Sequence, residues 1–358
     1  MAQPPDIRLV PEFRVSINGS ELSEEAVVDI IDVTVHTEIN AASMFTIEMI
    51  NWDRSAVQVT WVDDEQFSPG NEVKIEGGYV DWSEELIVGE IIGLDAEFNA
   101  NDIPSLIVRG YDHRHRLLRG RNTRSFIDMK DSDIASQIAS ETGLAAETED
   151  TGTVLKYVAQ SNQTDLEFLQ DRAHRIGYEV TIKDKTLYFR PRQNTSGEVL
   201  ILTREEDLLE FYPCLSTMGL PGKVIVRAYN PGEKKEIIGE AGIGDEFTTM
   251  GGATSGPQAA QDAFDEATSS IVDCPVFSQA EADQMALGRF NDMALTYIKG
   301  EGVCIGRPDL QAGTVIKIED IGERLSGLYY VTSVTHIFSA NRGYSTAFTV
   351  RRNAEGAM

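Results

Sequence analysis

Two stretches far apart in the chain repeat one pattern, and that repeat constrains the fold more than any other feature. Residues 312–351 read AGTVIKIEDIGERLSGLYYVTSVTHIFSANRGYSTAFTVR, and residues 69–109 carry a weaker version. Gly70, Val73, Lys74, Ile75 and Glu76 align without a gap on Gly313, Ile316, Lys317, Ile318 and Glu319. A hairpin follows in each copy, and Phe98-Asn99-Ala100-Asn101 then echoes Phe338-Ser339-Ala340-Asn341. Each copy closes on an apolar alternation, Leu106 and Val108 before Arg109, Phe348 and Val350 before Arg351. Self-similarity of this kind marks a duplicated supersecondary unit. Shared strand grammar is the plainer alternative.

The rest of the chain supplies the context. Phe13, Val15 and Ile17 alternate into an Asn18-Gly19 turn, and 27–38, 44–50, 72–77, 86–95 and 105–110 are further strand candidates. Six or seven such strands in about the first 110 residues suggest a small barrel or sandwich. Helical grammar follows at 131–142, with Ile134, Ala135, Ile138 and Ala139 in a stripe before Gly143. A second helix is expected at 160–177, where Thr164 and Glu167 form a capping box and Gly177 is the stop. Residues 178–182 and 187–190 read as a hairpin, and this α+β unit as a separate outer domain. Strands are expected at 199–202, 209–218 and 223–229, and an exposed, mobile loop at 239–257. A short helix at 257–269 and a longer one from Ser278 to about 299 complete the reading.

Charge and composition exclude several classes. The formal net charge is −27, which argues against wrapping nucleic acid, because that binding needs Lys and Arg to neutralise phosphates. The acidity fits either a rim that repels polyanions or general solubility. No apolar run approaches the roughly 18–20 residues of a membrane helix, so no membrane insertion is expected. MAQPPDIRLVPEF lacks the grammar of a signal peptide. Cys214, Cys274 and Cys304 are odd in number and far apart, which suggests neither a disulfide framework nor a CxxC site and fits folding in a reducing cytoplasm.

No catalytic constellation stands out. His113 and His115 would share a face if they lay on a strand, but Arg114 and Arg116 would oppose a cation and no third ligand is near. Gly239, Gly242 and Gly244 lack the GK[ST] ending of a phosphate loop, and no GxSxG elbow is present. No metal, cofactor or enzymatic activity is expected. The basic run around Arg114, Arg116, Arg119 and Arg121 is a candidate interface for an acidic partner or a neighbouring subunit; its plainer reading is a solvated connector balancing nearby acids.

The string QSNQTDLEFLQDRAHRIGYE at 160–179 resembles the Q-x-N-x-T/S-D-L/W-x-F-L-x-R-x-A-x-x-x-G signature of phage late control D proteins. That superfamily includes the baseplate hub of contractile phage tails and the N-terminal part of VgrG spike proteins. Further matching pieces are Pro69-Gly70 with Val73-Lys74-Ile75, Gly89-Glu90-Ile91, Arg109-Gly110-Tyr111-Asp112, Asp133-Ile134-Ala135, and Ser326-Gly327-Leu328-Tyr329-Tyr330-Val331 leading to His336. They cover nearly the whole chain in order. The resemblance implies an α+β, predominantly antiparallel β chain with two similar small β-barrels that form a central ring, plus an inserted α+β outer domain. The expected division is 1–118 for the first barrel, 119–200 with 241–299 for the outer domain, and 201–240 with 300–358 for the second barrel.

It further implies a homotrimeric structural hub that adapts a sixfold inner tail tube to a threefold spike and faces the baseplate wedges. Assembly in the cytoplasm would precede incorporation into a virion or injection particle. Because VgrG-like chains continue into a needle and this sequence stops at Met358, the spike is expected to be a separate polypeptide. The alternatives are a tail-tip cell-wall hydrolase and a cargo-binding or adhesin module.

Overall fold

The structure is a computed structural model that describes residues 10–194, 200–230 and 234–356. Thirteen strands hydrogen-bond into one mainly antiparallel sheet. In chain order they are β1 (Pro11–Ile17), β2 (Ser20–Glu21), β3 (Ile30–Glu38), β4 (Met44–Ile50), β5 (Glu72–Tyr79), β6 (Trp82–Glu97), β7 (Ser105–Asp112), β8 (Leu200–Thr203), β9 (Leu208–Leu215), β10 (Ile298–Ile305), β11 (Val315–Glu319), β12 (Gly327–Ser339) and β13 (Gly343–Arg352). The helices are α1 (Glu24–Asp29), α2 (Asp131–Glu141), α3 (Asp165–Arg175), α4 (Gly256–Phe264) and α5 (Gln279–Ala294). The path across the sheet is β9-β10-β13-β12-β3-β4-β7-β6-β5-β1-β2, with β11 beside β12 and β8 beside β11. Among the described residues no run of strands closes into a barrel.

The order β3-β4-β7-β6-β5 recurs as β9-β10-β13-β12-β11. The irregularities recur too. A bulge interrupts β3 between Ile30 and Asp32, and another interrupts β9 between Leu208 and Glu210. Ile91 and Gly93 flank a bulge in β6, as Val331 and Ser333 do in β12. Gly70 and Gly313 both sit at positive φ, +96° and +84°, where a residue without Cβ pays no steric cost. The Gly70 N–H bonds the Ile91 carbonyl at 2.8 Å, and the Gly313 N–H bonds that of Val331 at 2.9 Å. Bulges are specified features of a sheet, so shared bulges and registers mark one unit present twice.

The structural repeat spans five strands, two more than the sequence echo. It also shifts the closing strands by two residues: Val108 falls on Phe348 and Gly110 on Val350. A slip of two keeps every side chain on its face, which is why the apolar alternation still matched. The copies part at their outer strands, where β1 runs antiparallel to β5 but β8 runs parallel to β11.

Alternation gives each unit its core. Phe45, Ile47, Met49, Val73, Ile75, Leu106 and Val108 fill the first. Leu202, Ile298, Ile316, Ile318, Val334, Phe348 and Val350 fill the second. Each such side chain contributes about 1.5–3 kcal/mol by leaving water.

Residues 117–189 form an outer layer with its own core, including Ile134, Ile138, Leu166, Leu169, Leu187 and Phe189. The expected capping box starts α3: Glu167 N–H bonds Thr164 Oγ1 at 3.1 Å and Thr164 N–H bonds Glu167 Oε2 at 3.0 Å. Strands at Asn122–Met129 and Leu155–Gln163 pair beside it, so residues 160–163 are strand rather than helix. Lys223–Asn230 and residues 235–240, expected in the second β unit, belong instead to a separate hairpin of Lys223–Asn230 with Lys235–Gly242. Thr268–Ile271 pairs parallel to it, and α5 covers it through Met285 and Phe290.

Three more expectations change. Ser23 caps α1 by accepting from Ala26 N–H at 3.2 Å, so 27–29 are helical and the strand starts at Ile30. The last helix ends at Ala294, and β10 begins at Ile298. The 239–257 segment is strand to Gly242 and is then pinned: Met250 is buried, Phe247 N–H bonds Asn291 Oδ1 at 2.8 Å, and Asn353 Nδ2 bonds the Thr248 carbonyl at 2.6 Å. Residues 1–9, within the N-terminal string, and Val199, read as a strand start, lie outside the described residues.

Candidate assembly interface

The two β units meet edge to edge inside the chain. β3 pairs antiparallel with β12, from Glu38 opposite Ser333 to Asp32 opposite Ser339. Across this seam His36 Nδ1 and Thr335 Oγ1 lie 2.8 Å apart. Phe338 and Tyr344, from the second unit, belong to the core of the first and stack with ring centroids 4.0 Å apart. A Cβ on Gly77 would come within 2.4 Å of the Phe338 ring, so any side chain there must displace the ring. Beneath the stack His336 Nδ1 is 2.8 Å from the Tyr344 hydroxyl, and burial pushes its pKa down to about 4.

The equivalence of the units picks out two further edges. β9 is the counterpart of β3, and residues 93–99 are the counterpart of 333–339. Among the described residues neither edge has a strand partner on the side that the seam uses. Both carry exposed apolar side chains. Leu209 and Tyr212 are 60% and 66% exposed, and Phe98 is 62% exposed where its counterpart Phe338 is 3%. Sequence reasoning did not single out these edges; the echo of Phe98 in Phe338 was the available signal.

The arginine candidates sit elsewhere, on the turn His113–Leu118 and just beyond. Arg114 is buried and does not face outward. Its guanidinium bonds Asp112 Oδ2 at 2.8 Å, Ser43 Oγ at 2.6 Å and the Glu38 carbonyl at 2.8 Å, clipping β7 to the start of β4. Arg116 holds Glu90, with Nε at 3.0 Å from Oε2, and His115 Nε2 lies 2.6 Å from the same oxygen. The Arg116 guanidinium holds the Glu90 carboxyl down to about 2. Arg121 bonds Glu167 at 2.9 Å and the Asn162 carbonyl at 2.6 Å. Arg119 is exposed and has no ionic partner among the described residues. Most of the basic run is therefore engaged within the chain, Arg114 and Arg116 against the sheet and Arg121 inside the outer layer.

His113 and His115 lie on that helical turn, not on a strand, so their rings do not share a face. His113 is buried, which lowers its pKa. Among the described residues no three His, Cys, Asp or Glu side chains cluster as a metal site would require.

Residues 8–340 match the Alg8 N-terminal domain family, and the chain belongs to it; the match is to this family and not to the late control D proteins that its motifs resemble. No curated protein matches the sequence. The fold recurs in the 43 kDa tail protein of prophage MuSo2 from Shewanella oneidensis (14% identity, TM-score 0.70, 96% of this chain and 98% of that one). A tail protein from Neisseria meningitidis shares it (13%, 0.69, 96% and 97%). So does an Escherichia coli component of the type VI secretion system, described as structurally similar to T4 tail proteins (13%, 0.60, 95% and 77%). At these identities the likeness establishes a fold shared with tail proteins.

Proposed function

We propose that this member of the Alg8 N-terminal domain family is the baseplate hub of a contractile tail or phage-tail-like injection particle. In this reading three chains assemble, and their six similar β units form one ring, two units per chain. Such a ring seats a sixfold inner tube on one face and a threefold spike on the other. Duplication within a trimer resolves a symmetry mismatch that an unduplicated subunit could not. The outer layer, residues 117–189 with α5 and its hairpin, faces the baseplate wedges. The role is mechanical and adhesive, with affinity spread over wide interfaces.

The observation that carries this reading is the recurrence of one five-strand pairing order, bulges included, within a single chain. The shared fold with tail proteins supports it. Native mass spectrometry tests it. A species of three chain masses, alone or with a spike protein, is expected; a stable monomer that joins neither tube nor spike would overturn it.

A further inference from the structure

We infer that neighbouring copies of this chain join by strand addition: β9 of one copy pairs antiparallel with residues 93–99 of the next. The inference rests on the hub reading, because the ring supplies the second copy, but it specifies a joint that the ring alone does not.

The chain already contains this joint once, as the seam between β3 and β12. The sheet registers carry it over residue by residue. Val331 matches Ile91, and Ile30 matches Leu208, each fixed by the bulge beside it. Glu38 opposite Ser333 then becomes Ser216 opposite Gly93, and Asp32 opposite Ser339 becomes Glu210 opposite Asn99. Between them Cys214 faces Asp95, Tyr212 faces Glu97, and Phe211 faces Phe98. No like charges oppose one another, which directly opposed strand pairs require.

Backbone direction agrees. At the seam the Ile39 N–H reaches the Thr332 carbonyl at 3.2 Å, and the Ala340 N–H reaches that of Ile31 at 3.1 Å, so odd-numbered residues of β3 face β12. Directly after β9 the Ser216 N–H turns inward to the Tyr297 carbonyl at 2.9 Å. Phe211, Pro213 and Leu215 therefore face the open edge. Pro213 brings no N–H and removes one rung of the ladder. A proline is tolerated on an edge strand, where it also discourages indiscriminate pairing. Leu209 and Tyr212 on one edge and Phe98 on the other are exposed, and the burial of Phe338 shows what a joined edge does to the side chain at that place. Because the two edges are different surfaces, the contact is head-to-tail and closes into a ring only if the rotation per unit allows.

Cysteine cross-linking tests the register. Cys214 is a free, exposed thiol, and Asp95→Cys places a second thiol opposite it. Opposed residues in a non-hydrogen-bonded antiparallel pair lie about 4.5 Å apart at Cα, inside the range that a disulfide spans. Mild oxidation of Asp95→Cys is expected to give reducible covalent dimers and trimers, ending at the trimer. The products should vanish in Asp95→Cys/Cys214→Ser, and Ala96→Cys, opposite Pro213, should give none. Glu97→Cys/Tyr212→Cys in a Cys214→Ser background tests the neighbouring pair, should the first variant fold poorly. A native trimer without these cross-links, or equal linking from position 96, overturns the edge pairing and leaves the hub standing. A protein that stays monomeric overturns both. Linking only to an added tail protein would show that the edge takes a foreign strand, and would also overturn it.

Discussion

Tyr330 and Glu179 meet across the junction of the second β unit and the outer layer, hydroxyl to carboxylate at 2.5 Å, both buried. Tyr330 lies on β12, and Glu179 lies on the strand Tyr178–Lys183. Burial raises the Glu179 pKa, against the pull of the Tyr330 hydroxyl and of Arg192 and Arg190. Arg192 in turn bonds Asp292 of α5 at 2.5 Å, so three elements are tied at one place.

Removing the hydroxyl isolates a buried acid. Tyr330→Phe is expected to cost about 1–3 kcal/mol, the range for leaving a buried polar group without its partner. Glu179→Gln keeps an acceptor and should cost less. Urea midpoints of the two variants decide the matter, and equal losses would count against this bond as the tie.

His336 makes the seam acid-sensitive. Its folded value of about 4 lies below the ordinary 6.5. Between those pH values the unfolded chain binds the extra proton, so stability is complete above about pH 6.5 and falls as pH drops towards 4. The loss is on the order of 3 kcal/mol. Tyr344, Thr346 and Asp309 are the groups around the ring. His336→Asn should flatten the profile, read from denaturation midpoints at pH 7 and pH 4.5. An unchanged slope would place the acid sensitivity elsewhere, His113 being the next candidate.

Glu90 works at lower pH. Its folded carboxyl is held near 2 by Arg116, below the usual 4.5. Its contribution is present above about pH 4.5 and fades as pH falls towards 2. Because the group is partly solvated, Glu90→Gln should cost only about 1 kcal/mol at neutral pH. Thermal melts of parent and variant should converge as pH falls from about 5 towards 2. A gap that stays constant would show a packing effect instead.

Gly77→Ala drives a methyl into the Phe338 ring. A cost of about 1–3 kcal/mol is expected from overpacking. Phe338→Leu in the same chain should recover part of it, because neighbouring changes couple. A double-mutant cycle in urea measures the coupling, and strict additivity would show that the ring moves aside freely.

The sequence disclosed the parts whose signal is local. Thr164 and Glu167 announce α3, and the alternation of Phe348 and Val350 announces β13. The repeat itself was legible in three strands through Gly70 and Gly313, whose φ values leave little choice of residue. The other two strands of each unit share pairing but not side chains: Phe211 stands where the first copy has Val33. The role of Arg114 is not legible, because a charged side chain in a polar string gives no sign of burial until Asp112, Ser43 and the Glu38 carbonyl surround it. The sheet to which Lys223–Asn230 belongs is not legible, because alternation reports a strand without naming its neighbour.

In the proposed assembly three chains, each bearing the same β unit twice, build one ring. Cryo-electron microscopy of the purified assembly viewed down its axis tests this most directly. Six similar lobes around a central opening, related by threefold and not by true sixfold symmetry, are expected. A ring with any other number of lobes, or particles of one chain, would contradict it.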